Sequence, residues 1–139
     1  MTEAHDPKVL EFRVHRLRKA PRNWTYWVAA FTAANGIFTA MQHNITILAG
    51  FALPFAIPGS VPHLAIAAIL ATLAYASNKV PKILFIPFAA YVVDTTFTMF
   101  AQLWSGLAMH LVVLAFIGFS FMGIRALKTL QAQQSRVDG

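Results

Sequence analysis

Long apolar runs dominate this 139-residue chain and constrain its fold more than any motif does. Four of them are candidate membrane spans, at about 24–42, 61–77, 83–102 and 105–127. A helix needs roughly 20 residues, within a range of about 17–25, to cross the hydrocarbon of a bilayer. Charged residues make up 12% of the chain, about half the share in soluble domains. We therefore predict an all-α integral membrane protein built as a bundle of four transmembrane helices.

The basic residues indicate how these spans are oriented. All eleven Lys and Arg fall in three stretches, at 8–22, 79–82 and 125–136. Four spans place the three stretches on one side, and the opposite connections, 43–61 and 103–104, contain neither Lys nor Arg. Cytoplasmic loops carry the excess of positive charge, so both termini are predicted to be cytoplasmic. We expect a multi-pass protein of the plasma membrane, such as a bacterial inner membrane.

A fifth apolar run, 45–57, is too short for a crossing, and Pro54 and Pro58 interrupt its C-terminal end. We interpret it as a short re-entrant or interfacial segment between helices one and two. Irregular backbone at membrane depth must be covered by protein or water, because hydrocarbon offers it no hydrogen-bond partners. Gly50 and Pro54 would permit such a backbone.

The charge pattern divides the chain into a basic membrane-surface segment at 1–23, the transmembrane domain at 24–127 and a cytoplasmic tail at 128–139. In 8–22 the apolar residues fit both a helical face and an alternating strand, and we favour a helix lying on the membrane. Each cation near the cytoplasmic leaflet attracts anionic lipid by about 1 kcal/mol. The predicted lipid-binding residues are Arg13, Arg16, Arg18, Lys19 and Arg22. The positive-inside rule already accounts for this cluster, so no nucleic-acid partner is predicted.

Small residues indicate which helices lie close together. On helix two they recur as Ala67, Ala71 and Ala74, and on helix one as Ala29 and Ala33 or as Ala30 and Ala34. Such spacings let helix backbones approach in lipid. We predict close packing of helices one and two.

Asp94 is the only acidic residue within the predicted spans. A charge at that depth costs about 2.5–3.5 kcal/mol on insertion scales, so it should face the bundle interior and have a partner or be protonated. One polar stripe on helix three comprises Tyr91, Asp94, Thr98 and Gln102. In a tight hairpin of helices three and four, His110 lies about 4.5 Å in axial rise from Asp94. We predict that Asp94 and His110 form a pair.

The first helix carries a second polar stripe that rises toward the outer face. It comprises Thr32, Asn35, Thr39 and then Gln42 or His43. His43, His63 and His110 all lie in the outer half of the bundle, where neutral imidazoles could bind a metal or pass a proton. The alternative is hydrogen bonding between helices, at about 0.6 kcal/mol per contact, which needs no ligand. We favour this structural alternative over an ion pathway and over a bound metal or haem.

Most enzyme classes are disfavoured. Cysteine is absent, and the acids other than Asp94 lie in the tails, as Glu3, Asp6, Glu11 and Asp138. No HExxH motif or phosphate-binding glycine loop is present. We therefore predict a structural or accessory subunit, either homo-oligomeric or part of a larger membrane complex, with no cofactor required by the sequence. The alternatives are a small proton- or cation-coupled transporter or channel using Asp94 and His110, and a metal- or haem-binding protein.

Overall fold

A computed structural model describes residues 7–43, 46–101 and 103–137. These residues form four α-helices: α1 (Pro7–Ala40), α2 (Val61–Ala76), α3 (Phe85–Phe100) and α4 (Trp104–Val137). Two short 3-10 helices, Leu53–Ala56 and Pro81–Leu84, precede α2 and α3. No strand occurs in the described residues. The predicted all-helical class is confirmed.

Within the residues that the structure describes, two helical stretches are long and apolar enough to cross a membrane. They are Pro81–Phe100 and Gly106–Ala126, close to the third and fourth predicted spans. Val61–Ala76 is also apolar but shorter. The fold therefore contains two helices that could span a bilayer, judged by length and composition.

α1 is longer than the first predicted span because it includes the basic stretch before it. Its 34 residues continue through Pro21, whose carbonyl oxygen accepts a hydrogen bond from the Thr25 hydroxyl at 2.9 Å. The helical interpretation of this stretch is confirmed, but no helix end separates it from the apolar part. α4 likewise continues past the predicted boundary at 127 to Val137. Lys, Arg, Gln and Ala favour helix as well as Leu does, so the helices do not end where hydropathy falls.

α1 lies between α2 and α4, and α3 packs mainly on α4. The most extensive helix contact joins α1 to α2, which confirms the predicted packing, and Ala29, Ala67 and Ala74 are buried. A Cβ atom on Gly36 of α1 would lie only 2.9 Å from the His63 Cβ of α2. The small residues therefore bring two helix backbones together.

The connection from α1 to α2 is not one continuous helix. Over 46–60 it contains turns and the 3-10 helix Leu53–Ala56, which contacts both α2 and α3. Ala49, Phe51 and Ala52 are buried. The backbone around 49–52 is therefore covered by the rest of the protein, whereas 56–59 are exposed.

Candidate functional site

Asp94 of α3 and His110 of α4 are in direct contact. The His110 Nε2 atom lies 2.7 Å from Asp94 Oδ2, and both side chains are buried. Only a short connection separates the end of α3 at Phe100 from the start of α4 at Trp104, so the two helices run antiparallel. The contact predicted from the axial rise of a tight hairpin is present.

The second ring nitrogen of His110 determines how many protons the pair holds. Nδ1 lies 2.8 Å from the Gly106 carbonyl oxygen, one helical turn earlier. A carbonyl oxygen can only accept, so Nδ1 carries a hydrogen. Nε2 and the Asp94 carboxyl then share one proton, as imidazolium and carboxylate or as imidazole and carboxylic acid. Either form has no net charge, which suits a buried site.

Asp94 also binds the backbone of the irregular connection. The Ala52 N–H donates to both carboxyl oxygens, with Ala52 N lying 3.0 Å from Oδ1 and 2.9 Å from Oδ2. The connection therefore comes close enough for its main chain to reach the centre of α3. One side chain joins α3, α4 and this segment.

Three other polar side chains bind the same segment. The Tyr91 hydroxyl donates to the Ala49 carbonyl at 3.0 Å, and the Phe51 N–H donates to the Thr32 hydroxyl at 3.0 Å. Asn35 binds Ile47 twice, donating to its carbonyl at 3.0 Å and accepting from its N–H. We define the polar clamp as these groups together: Thr32, Asn35, Tyr91, Asp94 and His110 around the backbone of 47–52.

Aromatic stacking holds the imidazole in place within the clamp. The Tyr91 and His110 rings are nearly parallel, with centroids 4.8 Å apart and an interplanar angle of 7°. Phe51 of the same segment meets Tyr91 edge to face, with ring centroids 5.4 Å apart. The ring of His110 is therefore fixed by two hydrogen bonds and one stacked neighbour.

Sequence reasoning identified the polar side chains but not their common target. Thr32 appeared only in the first-helix stripe, and the peptide groups of 47–52 were missed. A signal was available, because the first-helix stripe runs toward the end of α1 that this segment follows, and its small residues Ala49, Gly50 and Ala52 allow close approach. Of the remaining candidates, Thr98 donates to the Asp94 carbonyl of its own helix at 2.8 Å. Gln102 lies outside the described residues.

The proposed metal site is not formed. His43 is exposed at the end of α1, His63 is buried against Gly36, and both ring nitrogens of His110 are engaged by Asp94 and Gly106. In the part of the chain that the structure describes, no group of three His, Cys, Asp or Glu could hold a metal ion. Three histidines in the same half of a bundle need not share one face, so the described residues give no support to the metal alternative.

The predicted lipid-binding residues lie on the N-terminal half of α1. Arg13, Arg16 and Lys19 are exposed, whereas Arg22 is half-buried and donates from its guanidinium to the Asn78 side chain. The Arg18 side chain lies outside the described part. The bond from Arg22 to Asn78 places the end of the basic stretch beside the turn that follows α2, which also carries Lys79.

A small cavity lies beside the polar clamp, against Phe51 and Tyr91. Its volume is about 10 Å³, and Pro21, Thr25, Phe51, Tyr91 and Ile117 contribute to its lining. That volume is near the minimum for a single water molecule. The cavity cannot serve as a site for an organic substrate in this conformation.

Comparisons with protein-family models, curated proteins and solved structures found no match to this chain.

Proposed function

We propose that this chain is a small membrane-embedded scaffold or accessory subunit that acts through helix association. It forms a four-span bundle with cytoplasmic termini and a re-entrant segment at 45–57, in the plasma membrane. Its partners are copies of itself or other membrane subunits. Anionic lipids at the cytoplasmic surface contact the end of the basic stretch around Lys19 and Arg22.

The observation that carries this proposal is the set of hydrogen-bond partners of the polar side chains on the helices. Backbone groups of 47–52 are the hydrogen-bond partners of Thr32, Asn35, Tyr91 and Asp94. These bonds use the hydrogen-bonding capacity of the four side chains to hold the segment in place. A transport path would need polar groups that remain available to a passing ion. These side chains have the arrangement expected of a structural element.

The outer surface supports the membrane location and the association. Large apolar side chains are more than half exposed on all four α-helices described, for example Trp27 of α1, Ile69 of α2, Val93 of α3 and Phe119 of α4. Buried positions include polar residues such as Thr32 and Asp94. A polar interior with an apolar exterior is costly in water and favourable in lipid or against other helices.

The proposed topology predicts a labelling pattern. Because the chain has no cysteine, single cysteines can be introduced without background. Cysteines at Ser60 and Leu103 should react with a membrane-impermeant maleimide from outside intact cells. Cysteines at Asn78 and Gln133 should react only after permeabilisation. Ser60 is preferred to its neighbour Gly59, whose φ of 98° favours glycine. External labelling at Asn78 would contradict the four-span topology.

The scaffold function is tested by purification from native membranes in a mild detergent, followed by native mass spectrometry. We expect a defined multimer or a stable complex with other membrane proteins. We also expect no proton or cation flux when the purified protein is reconstituted in liposomes. Recovery of a monomer that conducts would contradict the proposal.

One observation favours a second candidate function, a small proton-coupled transporter or channel. The single proton shared by Asp94 and His110 could be exchanged if water reached the pair. In liposomes containing a pH-sensitive dye, this function requires proton flux that Asp94→Asn abolishes without loss of fold, since an amide cannot exchange that proton. Absence of flux in the wild-type protein would exclude it.

A further inference from the structure

α1 and α4 are too long to lie wholly within a bilayer. Each has 34 residues, which at 1.5 Å per residue gives about 51 Å, against about 30 Å of hydrocarbon. The two helices run antiparallel and remain paired near their cytoplasmic ends. Trp24 stacks on Phe116 at 5.2 Å, and a Cβ on Gly123 would lie 3.1 Å from Leu17 Cδ1. In the proposed topology they leave the membrane as a two-helix extension.

One face of this extension is basic and points away from α4. Steps of four, four and three residues place Lys8, Phe12, Arg16 and Lys19 on one side of α1, which we call the basic stripe. All four are exposed, and Leu17, which meets α4, lies on the other side. Phe12 is 61% exposed, with the Arg16 guanidinium 5.3 Å from its ring centroid. The stripe thus combines an aromatic group with cations.

Because α1 is one continuous helix, the N-terminal part of the stripe extends away from the lipid. Arg22 marks the interface, because it binds Asn78 in the cytoplasmic turn and is followed by Trp24. At 1.5 Å per residue, Arg16 lies about 9 Å, Phe12 about 15 Å and Lys8 about 21 Å farther along the helix axis. The headgroup layer is about 5–7 Å thick and the screening length about 8 Å. In a helix close to the membrane normal, Phe12 and Lys8 therefore stand beyond the reach of the headgroups.

We propose that the basic stripe docks an acidic helix of a cytoplasmic protein. Carboxylates at helical spacing on the partner would meet the cationic side of the stripe, above all Arg16, while an apolar residue would cover Phe12. Aromatic and Arg side chains are the groups that most often dominate binding at protein interfaces. Charge complementarity would set the register and speed the encounter. This inference rests on the proposed subunit function and topology, and it names the chemistry of one partner.

The test uses full-length protein in nanodiscs rich in phosphatidylglycerol, with a single nitroxide on a cysteine replacing His15, inside the stripe. We expect the label to be accessible to a water-soluble nickel reagent, and equally so in neutral lipid. The probe is a synthetic amphipathic peptide helix of Glu and Leu. Saturable binding should immobilise the label, and Phe12→Ala or Arg16→Gln should each weaken binding by about tenfold.

The matched control is Arg125→Gln. Arg125 is exposed at nearly the height of His15, two residues from Gly123, and so lies on the side of α4 that faces away from α1. It should change peptide affinity by less than about twofold, because it removes the same charge without touching the stripe. An equal loss in Arg16→Gln and Arg125→Gln would overturn the proposal in favour of diffuse charge attraction.

Two further outcomes would also overturn it. One is absence of saturable peptide binding. The other is a label buried in anionic lipid and released in neutral lipid, which would identify the stripe as a membrane-surface element. Nanodiscs expose both faces of the protein, so the titration does not depend on topology. Reaction of the cysteine at position 15 from outside intact cells would instead refute the proposed topology alone.

Discussion

Asp94→Leu should destabilise the bundle by roughly 3–5 kcal/mol, the range for breaking a buried pair by removing one partner. The leucine leaves the His110 Nε2 without the carboxyl group 2.7 Å away and removes the acceptor of the Ala52 N–H. Both groups lie where water cannot replace the lost partner. The measurement is unfolding of the purified protein in mixed micelles by added sodium dodecyl sulfate, followed by tryptophan fluorescence.

Asp94→Asn is the conservative control and should cost less than about 1.5 kcal/mol. The amide oxygen can accept from the Ala52 N–H, while the amide nitrogen donates to Nε2 of a neutral imidazole whose Nδ1 still donates to Gly106. The asparagine therefore satisfies the hydrogen bonds of the clamp without a shared proton. An Asn variant as unstable as the Leu variant would contradict this assignment of donors and acceptors.

The double variant Asp94→Leu with His110→Leu distinguishes the stability that comes from the Asp94–His110 pair from the stability that comes from the hydrogen bond to Ala52. Removing both members eliminates the buried imidazole that lacks a partner, so the double variant should be more stable than Asp94→Leu alone. It should remain less stable than Asp94→Asn, because the Ala52 N–H still has no carboxyl acceptor. Additive losses would show that Asp94 and His110 are not coupled.

The features that sequence predicted well depend on local geometry. The apolar helices and the Asp94–His110 contact follow from the fixed rise of a helix and the short turn between α3 and α4. The packing of α1 on α2 follows from alanine spacing on two neighbouring helices. Each of these inferences needs only one helix or one hairpin.

The features that it did not predict depend on non-local contacts or on the limits of hydropathy. Asn35 and Ile47 are twelve residues apart, and Ala52 and Asp94 are 42 apart, so no helical period links these pairs. A polar stripe shows that a helix face needs partners without identifying the groups that it meets. Hydropathy also predicted α1 and α4 to be too short. The stretches before Trp24 and after Leu127 are rich in polar residues but still form helix.

Gly50 of the 47–52 segment lies tightly against α1, and Gly50→Ala should destabilise the protein strongly. A Cβ there would lie 2.8 Å from Asn35 Nδ2, 3.0 Å from the Thr32 backbone nitrogen and 3.1 Å from the Phe31 carbonyl carbon. Two of these atoms are helix backbone and cannot rotate away. Overpacking of this kind costs about 1–3 kcal/mol, and displacing Asn35 adds roughly 1 kcal/mol for each bond to Ile47 that is lost.

Truncating the Asn35 side chain should not restore the stability of Gly50→Ala. In Gly50→Ala with Asn35→Ala, the backbone atoms of Phe31 and Thr32 still block the new methyl group, and Ile47 has lost both of its bonds to Asn35. We therefore expect the double variant to be at least as unstable as Gly50→Ala in the same denaturation measurement. A double variant restored to wild-type stability would show that the close approach involves only the Asn35 side chain.

The matched control for this prediction is Gly118→Ala, the same substitution on α4. No heavy atom outside its local helix lies within 4 Å of the position where that Cβ would stand. Alanine is favoured over glycine in a helix by up to about 1 kcal/mol, so this variant should be as stable as the wild type or more so. The two substitutions should thus change stability in opposite directions. If Gly50→Ala were instead as stable as Gly118→Ala, the segment would not be held against α1, and the polar clamp would be refuted.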